Sequence, residues 1–181
     1  MRAATPTLPR KRGRVSARPL LSGDVAGRIV VTNSNKGLGG GGLMASKTGV
    51  RTELYRDQFG VLLEDRDHQM LELKWLEGSA SMTDDDFMTW LDRFSAEAET
   101  RRQPHLVINV REFRLRPGPQ IAAWRDEHVI PRYNRGGVTK FAFLLPEGSP
   151  GAAGSPVLEP PGTFPTGYFD TPDKIEAWFT R

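Results

Sequence analysis

Apolar residues fall into two different periods along the second part of this chain, and into no sustained period along its first fifty residues. Phe59-Gly-Val-Leu-Leu-Glu64 is a short β-rich run. Asp65-Arg-Asp-His68 is a polar turn, and Met70-Leu-Glu-Leu-Lys-Trp-Leu76 alternates like a second strand, so the pair predicts a hairpin. The pattern then changes to a helical one. Thr83 before Asp84-Asp85-Asp86 reads as an N-cap with acids where the helix dipole favours them. Phe87, Trp90, Leu91, Phe94 and Ala98 form one helical stripe that ends near Arg101-Arg102, before Pro104.

His105-Leu-Val-Ile-Asn-Val110 is nearly continuous in apolar residues, the pattern of a central strand covered on both faces. Arg111 to Pro119 is a basic loop. Gln120 to Tyr133, carrying Ile121, Trp124 and Val129, predicts a second helix that Pro131 ends or kinks and Gly136-Gly137 closes. Lys140-Phe-Ala-Phe-Leu-Leu145 is another buried strand. Five prolines and four glycines among the eighteen positions 146–163 predict an irregular loop. Tyr168-Phe169 reads as a short last strand, and Thr171-Pro172-Asp173 opens a terminal helix with Ile175, Trp178 and Phe179. The order β-β-α-β-α-β-(β)-α implies an α/β fold, a small mixed sheet of four to five strands with about three helices.

Composition divides the chain where the pattern does. All sixteen aromatic residues lie from Tyr55 onward. Residues 1–50 carry nine Lys/Arg against one Asp, a net of +8, whereas 51–181 carry sixteen against twenty-one Asp/Glu, a net of −5. The sequence pI of about 9.4 therefore describes a basic segment joined to an acidic domain. Nucleic acid is accordingly not an expected partner of residues 51–181.

With nine glycines and no aromatic residue, positions 1–50 are expected to be disordered. Their Arg10-Lys11-Arg12, Arg14 and Arg18 cluster has the composition of an anion-attracting tail or an organellar transit peptide. A plain linker is a further reading, and a secretory signal fits poorly for want of an apolar stretch. The preferred expectation is that the native start is Met44, because Gly39–Gly42 must be encoded by a purine-rich tract where a bacterial ribosome-binding site would lie.

The absence of cysteine excludes disulfides, thiolate catalysis and cysteine-ligated zinc, and suits a cytoplasmic protein. No apolar run approaches the ~20 residues of a membrane-spanning helix. His68, His105 and His128 lack metal-ligand spacing, so neither metal nor cofactor is expected.

Met82-Thr-Asp-Asp-Asp-Phe87, Leu106-Val-Ile-Asn-Val-Arg-Glu-Phe113, Trp124-Arg125 to Ile130-Pro131-Arg132-Tyr133, Gly137-Val-Thr-Lys-Phe-Ala-Phe143 and Gly167-Tyr168-Phe169-Asp170 carry a family likeness in their order and spacing. Residues 52–181 resemble the SpoIIAA-like branch of the STAS superfamily (sulphate transporter and anti-sigma-factor antagonist), a group also described as STAS/SEC14-like. The resemblance implies a four- or five-stranded sheet with packed helices, used for binding and regulation rather than turnover. Phosphorylatable members of that superfamily carry an Asp-x-Ser motif after the central strand. Here the matching stretch is Asn109-Val110-Arg111-Glu112, and no Ser or Thr occurs from Val110 to Tyr133. A serine-phosphorylation switch at that position is not expected.

Two groups of residues are candidates for recognition. Arg111, Arg114 and Arg116 follow a strand and precede a helix, where α/β sheets place ligands and where arginines can grip carboxylate or phosphate. Trp124, Arg125, His128, Arg132 and Tyr133 fall within ten residues, with Arg125 and Arg132 seven apart on one helix face. Each group has a plainer explanation: arginines paired with nearby acids, and Trp124 packed on the sheet. Asp84-Asp85-Asp86 point in different directions from a helix and do not converge on an ion. Neither glycine cluster has phosphate-loop spacing. The expected function is a non-catalytic module that binds a protein partner through Arg111, Arg114, Trp124, Arg125, Arg132 and Tyr133. The alternative is binding of a small anionic or amphipathic, lipid-like ligand; an enzyme is disfavoured, since no nucleophile–base pair, metal cluster or cofactor loop can be assembled.

Overall fold

The computed structural model describes residues 51–181, and the expectations for positions 1–50, including a start at Met44, lie outside the described residues. The elements are β1 (Arg51–Arg56), β2 (Gly60–Asp65), β3 (Met70–Trp75), α1 (Asp84–Arg101), β4 (His105–Asn109), α2 (Gln120–His128), α3 (Ile130–Gly136), β5 (Lys140–Leu144), β6 (Val157–Leu158), β7 (Pro165–Phe169) and α4 (Pro172–Phe179). One sheet holds all the strands, in the order β1-β2-β3-β4-β5-β7-β6. β3, β4, β5 and β7 run parallel, and antiparallel pairs close both ends: β1 with β2, β2 with β3, and β6 with β7.

The mixed α/β class agrees with the sequence expectation, but the sheet has seven strands rather than four or five. β1 escaped the pattern because Arg51-Thr-Glu-Leu-Tyr-Arg56 is mostly polar; as an edge strand it needs only Leu54 and Tyr55 to reach the core. β6 lies inside the region expected to be irregular, where Val157 and Leu158 pair with Thr166 and Pro165. The helix expected over 120–133 is two helices. Pro131 has no N–H to continue the ladder, so α2 stops at His128 and α3 restarts from Val129, whose carbonyl accepts from Arg132 and Tyr133.

Each face of the sheet is covered by different helices. On one, Leu62, Leu71, Leu73, Trp75, Leu106, Ile108 and Phe141 pack against Trp90, Leu91, Phe94 and Ala98 of α1 and against Val129 and Tyr133. Thr83 caps α1 through a reciprocal pair with Asp86: the Thr83 hydroxyl accepts from the Asp86 amide at 3.2 Å, and the Thr83 amide donates to the Asp86 carboxylate at 3.0 Å. α3 crosses α1 so closely that a Cβ at Gly136 would stand 2.8 Å from the Ala98 carbonyl. Gly137 follows in the left-handed region, φ 79°, and turns the chain into β5. On the opposite face Met70, Val107, Ala142 and Leu144 pack against Ile175 and Phe179 of α4. Lys140 closes that helix by donating to the Trp178 and Phe179 carbonyls. Among the described residues no helix is long and apolar enough to cross a membrane.

Candidate functional site

The carboxyl ends of β3, β4, β5 and β7 gather at one rim, and the arginine loop after β4 lies across it. Phe113 fastens the loop from within: it is buried, with ring centroids 5.2 Å from Trp75 and 5.5 Å from Phe87. The Arg114 amide donates to the buried hydroxyl of Ser79 at 2.9 Å. Farther along, the Gly118 amide and the Gln120 side chain donate to Asp84 at the start of α1. The loop is therefore held to both the sheet and the first helix.

Arg111 acts as a staple across the rim. Its Nε donates to the Leu145 carbonyl at 3.2 Å, and a terminal nitrogen donates to the Asp170 carbonyl, joining the ends of β5 and β7. Among the described residues no carboxylate lies within ion-pair distance of this guanidinium. It is one wall of a cleft of about 110 Å³ between α4 and the sheet, which Arg51, Glu72, Asn109 and Glu176 also line. Glu72 is buried, yet both carboxylate oxygens are satisfied: Arg51 donates at 2.7 Å and Asn109 at 3.1 Å. Such donors offset the cost of burying an ion that would otherwise be prohibitive. Arg51 also reaches within 3.5 Å of Asp65, whose carboxylate accepts from the His68 ring at 2.9 Å. Burial works to raise the Asp65 carboxyl, but the His68 hydrogen bonds and the Arg51 charge prevail and hold it below its ordinary value.

The residues singled out in the sequence are not brought together. Arg111 and Arg114 lie on the rim, and Arg116 is exposed. Trp124 packs on the edge of the core and stacks on His128 with centroids 5.5 Å apart. Arg125 meets its neighbour Asp126 at 2.6 Å. Arg132 crosses to α1, donating to Asp92 at 2.9 Å and approaching Glu99 at 3.8 Å. Tyr133 is a core residue, 1% exposed and ringed by Phe94, Phe141 and Phe164, so no partner can touch it. Burial pushes its hydroxyl far above the ordinary tyrosine range. In these helices the plainer explanation describes the side chains: Arg132 ties helix to helix and Trp124 packs.

Sequence reasoning passed over Arg51, Glu72, Asn109 and Glu176. Asn109 did carry a signal, since it interrupts the apolar run of a central strand, where burial demands a partner; Glu72 alternates with Lys74 along β3 and reads from sequence as part of a polar face. Arg51 and Glu176 carried none: they reach the cleft only through strand pairing and the docking of α4.

A second depression, of about 70 Å³, lies among Tyr55, Asp57, Phe59, Trp90 and Arg93. The Arg93 guanidinium already sits 3.8 Å from the Tyr55 ring centre, and Asp57 accepts from the Trp90 indole at 3.0 Å. Both fasten β1 to α1. The histidines are similarly engaged: His105 meets the His68 carbonyl and stacks on Phe179, and His128 meets the Trp124 carbonyl. Among the described residues no group of three or more Asp, Glu or His side chains is placed to hold a metal ion. No family model matches the chain, and neither the curated proteins nor the solved structures compared with it yield a match.

Proposed function

We propose that this chain is a non-catalytic binding module of the SpoIIAA-like type that acts through a protein partner. The observation that carries this reading is the outer strand β6. There Val157 and Leu158 are 47% and 60% exposed, large apolar side chains on a strand whose outer edge has no neighbour among the described residues. Such an edge accepts an extended segment of another chain, main-chain hydrogen bonds supplying affinity and side chains specificity. Pro156 and Pro160 bracket the strand, so the segment it can pair is short. The position after β4 has no hydroxyl to phosphorylate, so regulation in this reading comes from partner availability rather than from a kinase acting there.

The test is capture from a native lysate on the immobilised chain, compared with Val157→Asp/Leu158→Asp. Neither side chain contributes to the buried core, so the double variant should keep its thermal midpoint within about 2 °C. Retained partners should fall at least tenfold. Equal retention would sink the proposal. The rival reading, a small anionic or lipid-like ligand, keeps one observation in its favour: Arg111, a cation without a carboxylate, beside a cleft. That cleft of about 110 Å³ is far below the ~300 Å³ at which sites for drug-sized ligands begin. It has no room for an acyl chain, which narrows the rival reading to small molecules.

A further inference from the structure

The cleft under α4 has a charge pattern more specific than a general attraction for anions. Two of its four charged side chains are already engaged: Glu72 holds Arg51 at 2.7 Å and takes a second bond from Asn109. Arg111 and Glu176 remain. Both line the same cleft, and among the described residues neither has an ion-pair partner within 4.0 Å. Arg111 is held in place by its two carbonyl contacts, so the ordering cost of presenting its guanidinium has already been met in folding. The rest of the wall is apolar: the buried Met70, Val107, Leu144 and Ile175, with the exposed Pro172 at the start of α4. The volume of about 110 Å³ equals roughly four waters' share of the liquid.

One fixed cation, one carboxylate and a short apolar wall complement a molecule with those features inverted. We propose that this cleft binds a small aliphatic zwitterion of the α-amino-acid type, its carboxylate meeting Arg111, its ammonium meeting Glu176, and its short side chain lying against Ile175 and Leu144. A dianion such as phosphate suits the site poorly, because Glu72 and Glu176 face the same space. The ligand bridges α4 to the sheet and stabilises the helix in place. This site is separate from the β6 edge, so each proposal can fail without the other.

The probe is free valine added to the full chain, followed by methyl NMR and by thermal midpoint, with isobutyrate, isobutylamine and inorganic phosphate as comparison compounds. Valine should shift the Ile175 and Leu144 methyl signals saturably and raise the midpoint. Isobutyrate and isobutylamine, each lacking one charge, should bind at least about tenfold more weakly, as expected for loss of one charge-assisted hydrogen bond. Arg111→Gln should abolish the response. If its lost staple unfolds the rim, Glu176→Gln on the outer helix supplies the decisive arm: it should erase the preference for valine over isobutyrate. No saturable shift with valine, equal binding of valine and isobutyrate by the unaltered chain, or stronger binding of phosphate would each overturn the proposal.

Discussion

Buried carboxylates persist in this domain because their donors arrive from several directions. Glu64 takes hydrogen bonds from Arg66, Arg101 and Gln103, Asp65 from His68, and Glu72 from Arg51 and Asn109. For Glu64, as for Asp65, burial raises the carboxyl and the donors with their positive charges more than offset it, so both lie below their ordinary values. A carboxyl depressed on folding contributes stability above its unfolded pKa and loses that contribution as pH falls through the folded one. Urea midpoints should therefore decline below about pH 4, the ordinary carboxylate range. Asp65→Asn should flatten that decline while lowering the midpoint at neutral pH. An unchanged acid limb would show that Asp65 is not among its causes. His105 shifts in the same direction for a different reason: burial, assisted by the Lys140 charge, itself lowers its pKa. The unfolded chain then binds a proton that the folded one resists, so stability falls as pH drops below about 6.5. His105→Phe, which keeps the stacking on Phe179, should remove that slope in the same titration.

At the scale of elements, helix ends and helix crossings give the sharpest expectations. Thr83→Ala removes the hydroxyl half of the reciprocal cap on α1, leaving the backbone amide its bond to Asp86, and should cost about 1 kcal/mol in denaturant unfolding. Gly136→Ala drives a methyl into the Ala98 carbonyl, backbone that cannot swing aside, and should cost roughly 1–3 kcal/mol. A neutral Gly136→Ala would mean that α1 and α3 do not cross this closely. The elements were legible in the sequence wherever local rules govern. The Thr83 cap, the stripe through Trp90 and Phe94, the apolar runs of β4 and β5, and Pro172 at the start of α4 are all short-range signals, and all stand in the structure. β1 and β6 were not legible, because an edge strand is defined by the neighbour it pairs with more than by its own residues.

At the scale of the molecule, the two faces of the sheet are unequally buried. The α1–α3 face holds most of the large side chains, including Trp75, Phe94 and Tyr133, whereas α4 is anchored by Ile175, Phe179 and the Lys140 cap. Hydrogen exchange should consequently show α4 amides opening at lower free energy than those of β4, well before global unfolding. Equal protection would mean that the domain opens only as a whole.

The sequence by itself determined which stretches become helices and inner strands, because caps, proline and apolar period act between residues a few positions apart. It determined equally that the acidic domain, not the basic segment, carries the aromatic core. Tertiary structure alone decided which side chains meet. Arg125 and Arg132 share a spacing but are spent on Asp126 and on α1, and Tyr133 vanished into the core. Arg51, Glu72, Arg111 and Glu176, spread from the first described residue to the last helix, came to line one cleft. The reason is physical: a binding site depends on strand order and on which face a helix covers, and neither is encoded within any single stretch of chain.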